Sequence, residues 1–260
     1  LPNYYLFLLI NIAIYLWVEG RWPQAPPYVF FVQNLAWPHP LFFPEAWSLA
    51  LEEIFYLLAP LAMLLFLPVL RQRWQTVLVL VAALAVALLL RLFYVLDTNP
   101  PWDEGVRKLS LIRLDAIGYG VLAVYLCKAY APTLGARRRL AVAGATGLLA
   151  AWALYLATAI DTSVVARTLL FSIVSASFAA MLPLASVWLE PAWPPRAIAA
   201  VRRLALWSYA LYLTQLPMMR VIYKLDLAPT NTLGCYAMGA IFAVLSIASA
   251  ALVYRGFERP

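Results

Sequence analysis

The chain has 260 residues, of which 65% are hydrophobic and 12% are charged, and its mean hydropathy is +0.82. This balance excludes an ordinary soluble domain, in which about a quarter of the residues are charged, and is typical of a polytopic membrane protein. The formal net charge of +7 does not indicate a nucleic-acid partner, because basic loops orient membrane proteins and contact anionic lipids. We therefore expect the protein to contact the lipid bilayer and not to bind nucleic acid.

Apolar segments recur along the whole chain and are separated by short polar connections. A membrane-spanning helix needs about 20 mostly apolar residues, and most of these segments reach that length. They predict an all-α fold, a polytopic transmembrane helix bundle of about eight spans that forms a single domain over residues 1–260. The predicted spans comprise residues 4–18, 47–67, 75–96, 109–130, 140–160, 166–189, 204–223 and 232–254.

Lysine and arginine are concentrated in alternate connections between the predicted spans. Because basic loops remain on the cytoplasmic side of a membrane, these connections predict the orientation of the chain. With an even number of spans, both Leu1 and Pro260 are expected on the cytoplasmic side. The basic residues assigned to that side are Arg71, Arg73, Lys128, Arg137, Arg138, Arg139, Arg196, Arg202, Arg203, Arg255 and Arg259.

The single histidine and the two cysteines give no sign of a metal site or a disulfide. His39 lies between Pro38 and Pro40, which favour extended backbone, so we predict a loop histidine that neighbours or solvent satisfy. A contact with substrate is the alternative. Cys127 and Cys235 are predicted near opposite membrane faces, too far apart to form a disulfide. Neither has the spacing of metal ligands, and we expect no bound metal.

Two adjacent carboxylates, Glu52 and Glu53, lie near the start of the second predicted span. A carboxylate inside a membrane segment costs roughly 2.5–3.5 kcal/mol, so it usually faces a bundle interior or a water cavity and marks a functional site. On a regular helix, Ser48, Glu52 and Tyr56 share one face, and Glu53 lies at its margin. This polar face predicts a site, although a glutamate near a helix start can also complement the helix dipole or reach the interface.

Arg113 and Asp115 lie near the outward end of the fourth predicted span. Two residues apart, they point about 200° from one another on a regular helix and cannot pair. Because a buried unpaired charge is unfavourable, each needs a partner on another span. The charges predicted at the same depth belong to Glu52, Glu53, Arg91 and Arg220. A purely structural ion network would show the same convergence.

Polar side chains interrupt the seventh predicted span, notably Tyr209, Tyr212 and Gln215. Pro217 removes an amide donor from the same helix. Such groups can line a binding site or simply form hydrogen bonds with neighbouring helices.

Four segments together resemble the acyltransferase-3 family of integral-membrane enzymes, and the likeness extends over nearly the whole chain. Residues 47–56 resemble its W-S-L-x-x-E-E-x-F-Y signature, with Ile54 in place of a common glutamine. Residues 113–120 resemble its R-x-D-x-x-x-x-G segment, 208–213 its S-Y-x-x-Y-L segment, and 258–260 its terminal E-R/K-P. Only the first segment is specific by itself.

The resemblance implies an enzyme of the bacterial inner membrane that transfers an acyl group, most often acetyl, from acyl-CoA. The acceptor would be a hydroxyl of a glycan or lipid-linked saccharide, as in O-acetylation of surface polysaccharides, and no cofactor would stay bound. The family's catalytic histidine lies upstream of the residues that correspond to Leu1. We therefore expect the sequence to lack the first two family helices, and this histidine with them.

Site roles follow from the resemblance together with the polar faces. Glu52 and Glu53 are the candidate catalytic carboxylates. The candidate substrate-binding residues are Ser48, Tyr56, Arg113, Asp115, Tyr209, Tyr212 and Gln215. Two other classes stay open: a transporter or flippase, whose intramembrane charges form a substrate path, and an inactive membrane scaffold.

Overall fold

The computed structural model describes residues 2–66, 70–187, 193–227, 229 and 231–258. These residues form helices and contain no β-strand, which confirms the all-α fold. Leu1, Arg259 and Pro260 lie outside the described residues, as do residue 67 of the second predicted span and residues 188–189 of the sixth. The α-helices of the described part are α1 (Pro2–Glu19), α2 (Pro26–Val29), α3 (Ala46–Phe66), α4 (Arg73–Thr98), α5 (Asp115–Tyr130), α6 (Leu134–Ala157), α7 (Val164–Ala185), α8 (Pro195–Lys224) and α9 (Thr232–Val253).

Helices occupy all eight regions that were predicted to span the membrane. Five are long and apolar enough to do so: α3, α4, α6, α7 and the segment Thr232–Phe257 that contains α9. Among the others, α5 has only 16 residues, while α1 and α8 carry internal polar side chains such as Asn11 and Gln215. The structure thus confirms a polytopic helix bundle, and the number of eight spans stays a prediction.

The fourth predicted span does not form one helix from residue 109, because α5 begins only at Asp115. The side-chain amide of Asn34 donates a hydrogen bond to the carbonyl of Lys108 at 2.5 Å. The backbone N–H groups of Ser110 and Leu111 donate to the carbonyls of Asn34 and Leu35 at 2.9 and 3.2 Å. These bonds to another loop replace helical ones, so a 3₁₀ turn over Leu111–Arg113 precedes α5.

The chain divides into two compact units. The first unit comprises Leu1–Phe30, Pro40–Ala46 and Glu190–Pro260, and in it α8 packs against α1 and α9. The second unit comprises Phe31–His39 and Trp47–Leu189, and in it α7 packs against α4, α5 and α6. Helix α7 is therefore the central element of the second unit.

Small residues on α6 allow its close approach to α7. A Cβ atom added at Gly144 would lie 2.5 Å from the carbonyl oxygen of Ser177 on α7. In contrast, a Cβ atom at Gly120 on α5 would meet nothing within 4 Å. Only the first of these helical glycines is thus required by packing.

We predict that Gly144→Ala destabilises the protein by about 1–3 kcal/mol, because the new methyl group collides with backbone rather than with a movable side chain. Gly120→Ala is the matched control. It should be neutral or stabilising by up to about 1 kcal/mol, since alanine favours a helix over glycine. Thermal unfolding in detergent measures both, and equal midpoints would contradict the packing role of Gly144.

Candidate functional site

A buried ion pair joins three helices of the second unit. Nη2 of Arg91 on α4 lies 2.5 Å from Oδ1 of Asp115 at the start of α5, and both side chains are fully buried. The hydroxyl of Ser172 on α7 donates a hydrogen bond to Oδ2 of Asp115 at 2.9 Å. Asp115 therefore has the partner that the sequence required, and that partner is the predicted Arg91.

The remaining donors of Arg91 are satisfied by backbone and by one hydroxyl. Its Nε and Nη2 donate to the carbonyl of Ile112 at 3.0 and 2.7 Å. Its Nη1 donates to the carbonyl of Thr168 at 3.0 Å and to Oγ of Ser172 at 3.1 Å. Because Ile112 lies in the 3₁₀ turn, Arg91 fixes this turn against α4 and α7.

Arg113, in the same turn, is held by an aromatic ring instead of a carboxylate. Its guanidinium carbon lies 3.7 Å from the ring centroid of Phe171, and Trp102 stacks on that ring with centroids 5.6 Å apart. Nε and Nη1 of Arg113 are buried and have no hydrogen-bond partner among the described residues. As predicted, Arg113 does not pair with Asp115.

A second group of charges adjoins these aromatic rings. The guanidinium of Arg107 lies 5.2 Å from the ring of Trp47, the first residue of the signature, and 5.6 Å from that of Trp102. Arg107 and Lys108 both bond to Asp103, with Nζ of Lys108 at 2.6 Å. Partial burial by itself would raise the pKa of Asp103, but these two cations lower it below its usual value.

Among the described residues, the signature carboxylates Glu52 and Glu53 form no ion pair with these cations. Glu52 and Tyr56 are on the exposed side of α3, while Ser48 and Glu53 are half-buried. In the part of the chain that the structure describes, no lysine or arginine nitrogen lies within 4 Å of either carboxylate. They are therefore not the ion partners of Arg113 that the sequence suggested. A catalytic role for Glu52 and Glu53 stays a prediction.

The predicted residues of α8 form hydrogen bonds within the first unit. The hydroxyl of Tyr212 donates to the carbonyl of Glu45 at 2.9 Å, and the amide of Gln215 donates to the carbonyl of Tyr212 at 3.3 Å. Arg220 donates to the carbonyls of Leu41 and Phe42 at 2.8 and 2.7 Å. Arg220 thus fixes the loop before α3 within the first unit, and its predicted convergence with the charges around Arg113 stays a prediction. Substrate binding by Tyr209, Tyr212 and Gln215 stays a prediction.

Sequence reasoning missed Glu45, which precedes the signature by two residues. Its side chain is 4% exposed, and burial raises the pKa of the carboxyl from 4.5 to about 7, although backbone hydrogen bonds and Arg220 oppose the rise. His39, in the second unit, is buried as well, at 3% exposed, so of the two predicted environments the ring has protein neighbours and not solvent. Both residues lie in a proline-rich loop, where no periodicity signals burial.

Comparison with known proteins identifies a family. The family model Acyl_transf_3, described as an acyltransferase domain, matches residues 2–255. No curated protein and no solved structure matches the chain. The matched range contains the signature, the Arg91–Asp115 pair and Arg113.

We predict that Asp115→Asn destabilises the protein by about 3–5 kcal/mol, because it leaves the buried guanidinium of Arg91 without a counter-charge. Asp103→Asn is the control. It breaks a partly exposed interaction, for which at most about 1 kcal/mol is expected. Unfolding in detergent by heat or denaturant compares the two variants, and equal losses would contradict the structural role of the buried pair.

We also predict that stability falls as the pH rises from 4.5 to 7. The pKa of Glu45 is higher in the folded chain than in the unfolded one. Glu45 therefore adds to the free energy of unfolding in full below pH 4.5, and this contribution is lost as the pH rises to about 7. The loss amounts to about 3 kcal/mol. Thermal midpoints between pH 4 and 8 measure it.

In that experiment Glu45→Gln should be more stable than the parent at pH 8 and should flatten the curve between pH 4.5 and 7. Glu19→Gln, which changes an exposed carboxylate, should follow the parent. A Glu45→Gln curve that coincides with the parent curve would show that Glu45 does not titrate in this range.

Proposed function

Since the chain belongs to the acyltransferase-3 family, we propose that it transfers an acyl group, most often acetyl, from acyl-CoA to a hydroxyl of a cell-surface glycan or related acceptor. The family match over residues 2–255 carries this proposal. It establishes a membrane-type acyltransferase, and the five apolar helices agree with an integral membrane protein. The donor and the acceptor are the proposed part.

The reaction joins the acceptor hydroxyl oxygen to the acyl carbonyl carbon and breaks the carbon–sulfur bond to CoA. The hydroxyl proton must pass to a base and then to the departing thiolate. We assign Glu52 and Glu53 to this proton transfer, either directly or by orienting another base. Their support is the signature on the first turns of α3 and the open position of Glu52 beside Tyr56.

The remaining predicted residues would bind and orient the substrates. In the second unit, Arg113 and Asp115 shape the site, and Ser48 and Tyr56 lie on the same helix as the carboxylates. Asp115 acts indirectly, since its oxygens are engaged by Arg91 and Ser172. Tyr209, Tyr212 and Gln215, which belong to the first unit, are proposed as further substrate-binding residues.

The location of the reaction follows from the basic connections. Arg71 and Arg137–Arg139 favour a cytoplasmic position for the two connections that carry them. Acyl-CoA would approach from this cytoplasmic side of a bacterial inner membrane. We place both chain ends on the same side. The acidic connections, including Asp103, would face outward, where an exported glycan or lipid-linked saccharide is available.

The test is transfer of labelled acetyl from acetyl-CoA to cell-envelope acceptor by membranes that contain the full-length natural protein. Glu52→Gln should reduce the rate by about 100-fold or more, the usual effect of losing a general base. Glu53→Gln should reduce it less, because Glu53 lies at the margin of the polar face. Glu19→Gln is the control and should keep the parent rate.

Protein levels in the membrane must be matched in every sample. If the parent transfers no acetyl group above empty membranes, the proposed donor or acceptor is wrong. If both glutamine variants keep full activity, the carboxylates are not catalytic, and they complement the helix dipole or reach the interface instead.

A further inference from the structure

We propose that Arg113 binds an anionic oxygen group, a phosphate or a carboxylate, carried by the acceptor. The anion site itself depends on the geometry of the second unit, and only the identity of its ligand as the acceptor rests on the proposed function. The acceptor would then be an acidic saccharide or a lipid-linked one, and not a neutral glycan.

The first observation is the state of the guanidinium donors. Nε and Nη1 of Arg113 are buried without a hydrogen-bond partner among the described residues. An arginine side chain stays protonated in proteins and has only donors to offer. Buried donors that lose water without gaining an acceptor are costly, so this arrangement calls for an acceptor group from outside the chain.

The second observation is that nearby carboxylates are already engaged. The two oxygens of Asp115 accept from Arg91 and Ser172, and those of Asp103 accept from Arg107 and Lys108. Arg91, Arg107 and Lys108 thus pair with these two carboxylates, whereas Arg113 pairs with no carboxylate among the described residues. A cation without a paired carboxylate favours an anionic ligand over a neutral one.

The third observation is preorganisation. Phe171 lies 3.7 Å below the guanidinium of Arg113 and is itself stacked on Trp102, so the planar group is held in one orientation before any ligand arrives. A planar guanidinium matches the geometry of carboxylate and phosphate oxygens. As a whole residue Arg113 is half-buried, and Leu111 in the same turn is 39% exposed, so the turn reaches the surface.

The experiment measures ligand binding by calorimetry to the purified protein in nanodiscs of neutral phosphatidylcholine. Glucose 6-phosphate and glucuronate represent the two anionic groups, and glucose is the neutral reference. The parent should bind both charged sugars at least about tenfold more tightly than glucose, the ratio expected for one charge-assisted contact.

Arg113→Gln should bind the charged sugars no better than glucose, whereas Arg113→Lys should retain part of the preference. The matched control is Arg139→Gln, which changes an exposed arginine of α6 and should behave as the parent. Equal binding of glucose and the charged sugars by the parent overturns the proposal, as does the absence of any anion binding. An unchanged preference in Arg113→Gln also overturns it. If Arg113→Gln does not fold, the parent and Arg113→Lys decide.

A second arm identifies the source of the anionic group. Phosphatidylglycerol added to the nanodiscs should compete with glucose 6-phosphate at the parent if a lipid headgroup occupies Arg113, and should have no effect if the anion belongs to a soluble saccharide. Acetyl transfer is measured separately. If the protein transfers acetyl but binds charged sugars no better than glucose, only the anion site at Arg113 is rejected. If it prefers charged sugars but transfers no acetyl, only the proposed reaction is rejected.

Discussion

The ion pair between Arg91 and Asp115 is the interaction on which the second unit depends. Two opposite charges removed from solvent are favourable only when their geometry is good and every remaining donor is satisfied. Here Arg91 reaches two backbone carbonyls, those of Ile112 and Thr168, and shares Ser172 with Asp115. The pair therefore fixes the start of α5 between α4 and α7, and Arg91 holds the 3₁₀ turn through the carbonyl of Ile112.

The same arrangement leaves Arg113 without a carboxylate. With Asp115 engaged, the guanidinium of Arg113 packs on Phe171 and retains buried donors that nothing among the described residues accepts. A sequence optimised for stability alone would place an apolar side chain or a second carboxylate here. Local violations of this kind are expected at functional sites.

Hydropathy and charge were sufficient to predict the helical membrane fold, and the cost of burying Asp115 was sufficient to predict a partner such as Arg91. The break before α5 could not be predicted, because it depends on Asn34, which meets Lys108 from 74 positions away in the sequence. The burial of Glu45 was equally hidden, since a loop rich in proline and aromatic residues has no periodic pattern. Contacts between distant loops thus set the details of the site, and a single sequence records them poorly.

The two groups of carboxylates differ in a way that bears on catalysis. Asp115 is fixed within its unit by two interactions, one with Arg91 and one with Ser172, so it suits a positioning role. Glu52, on the exposed side of α3, has no cation nearby in the described residues and loses no structural contact when it accepts a proton. A proton acceptor must change its charge during turnover, and a carboxylate whose charge holds no helix in place can do so without disturbing the fold. This difference between Asp115 and Glu52 is compatible with the proposed role of the signature helix in proton transfer.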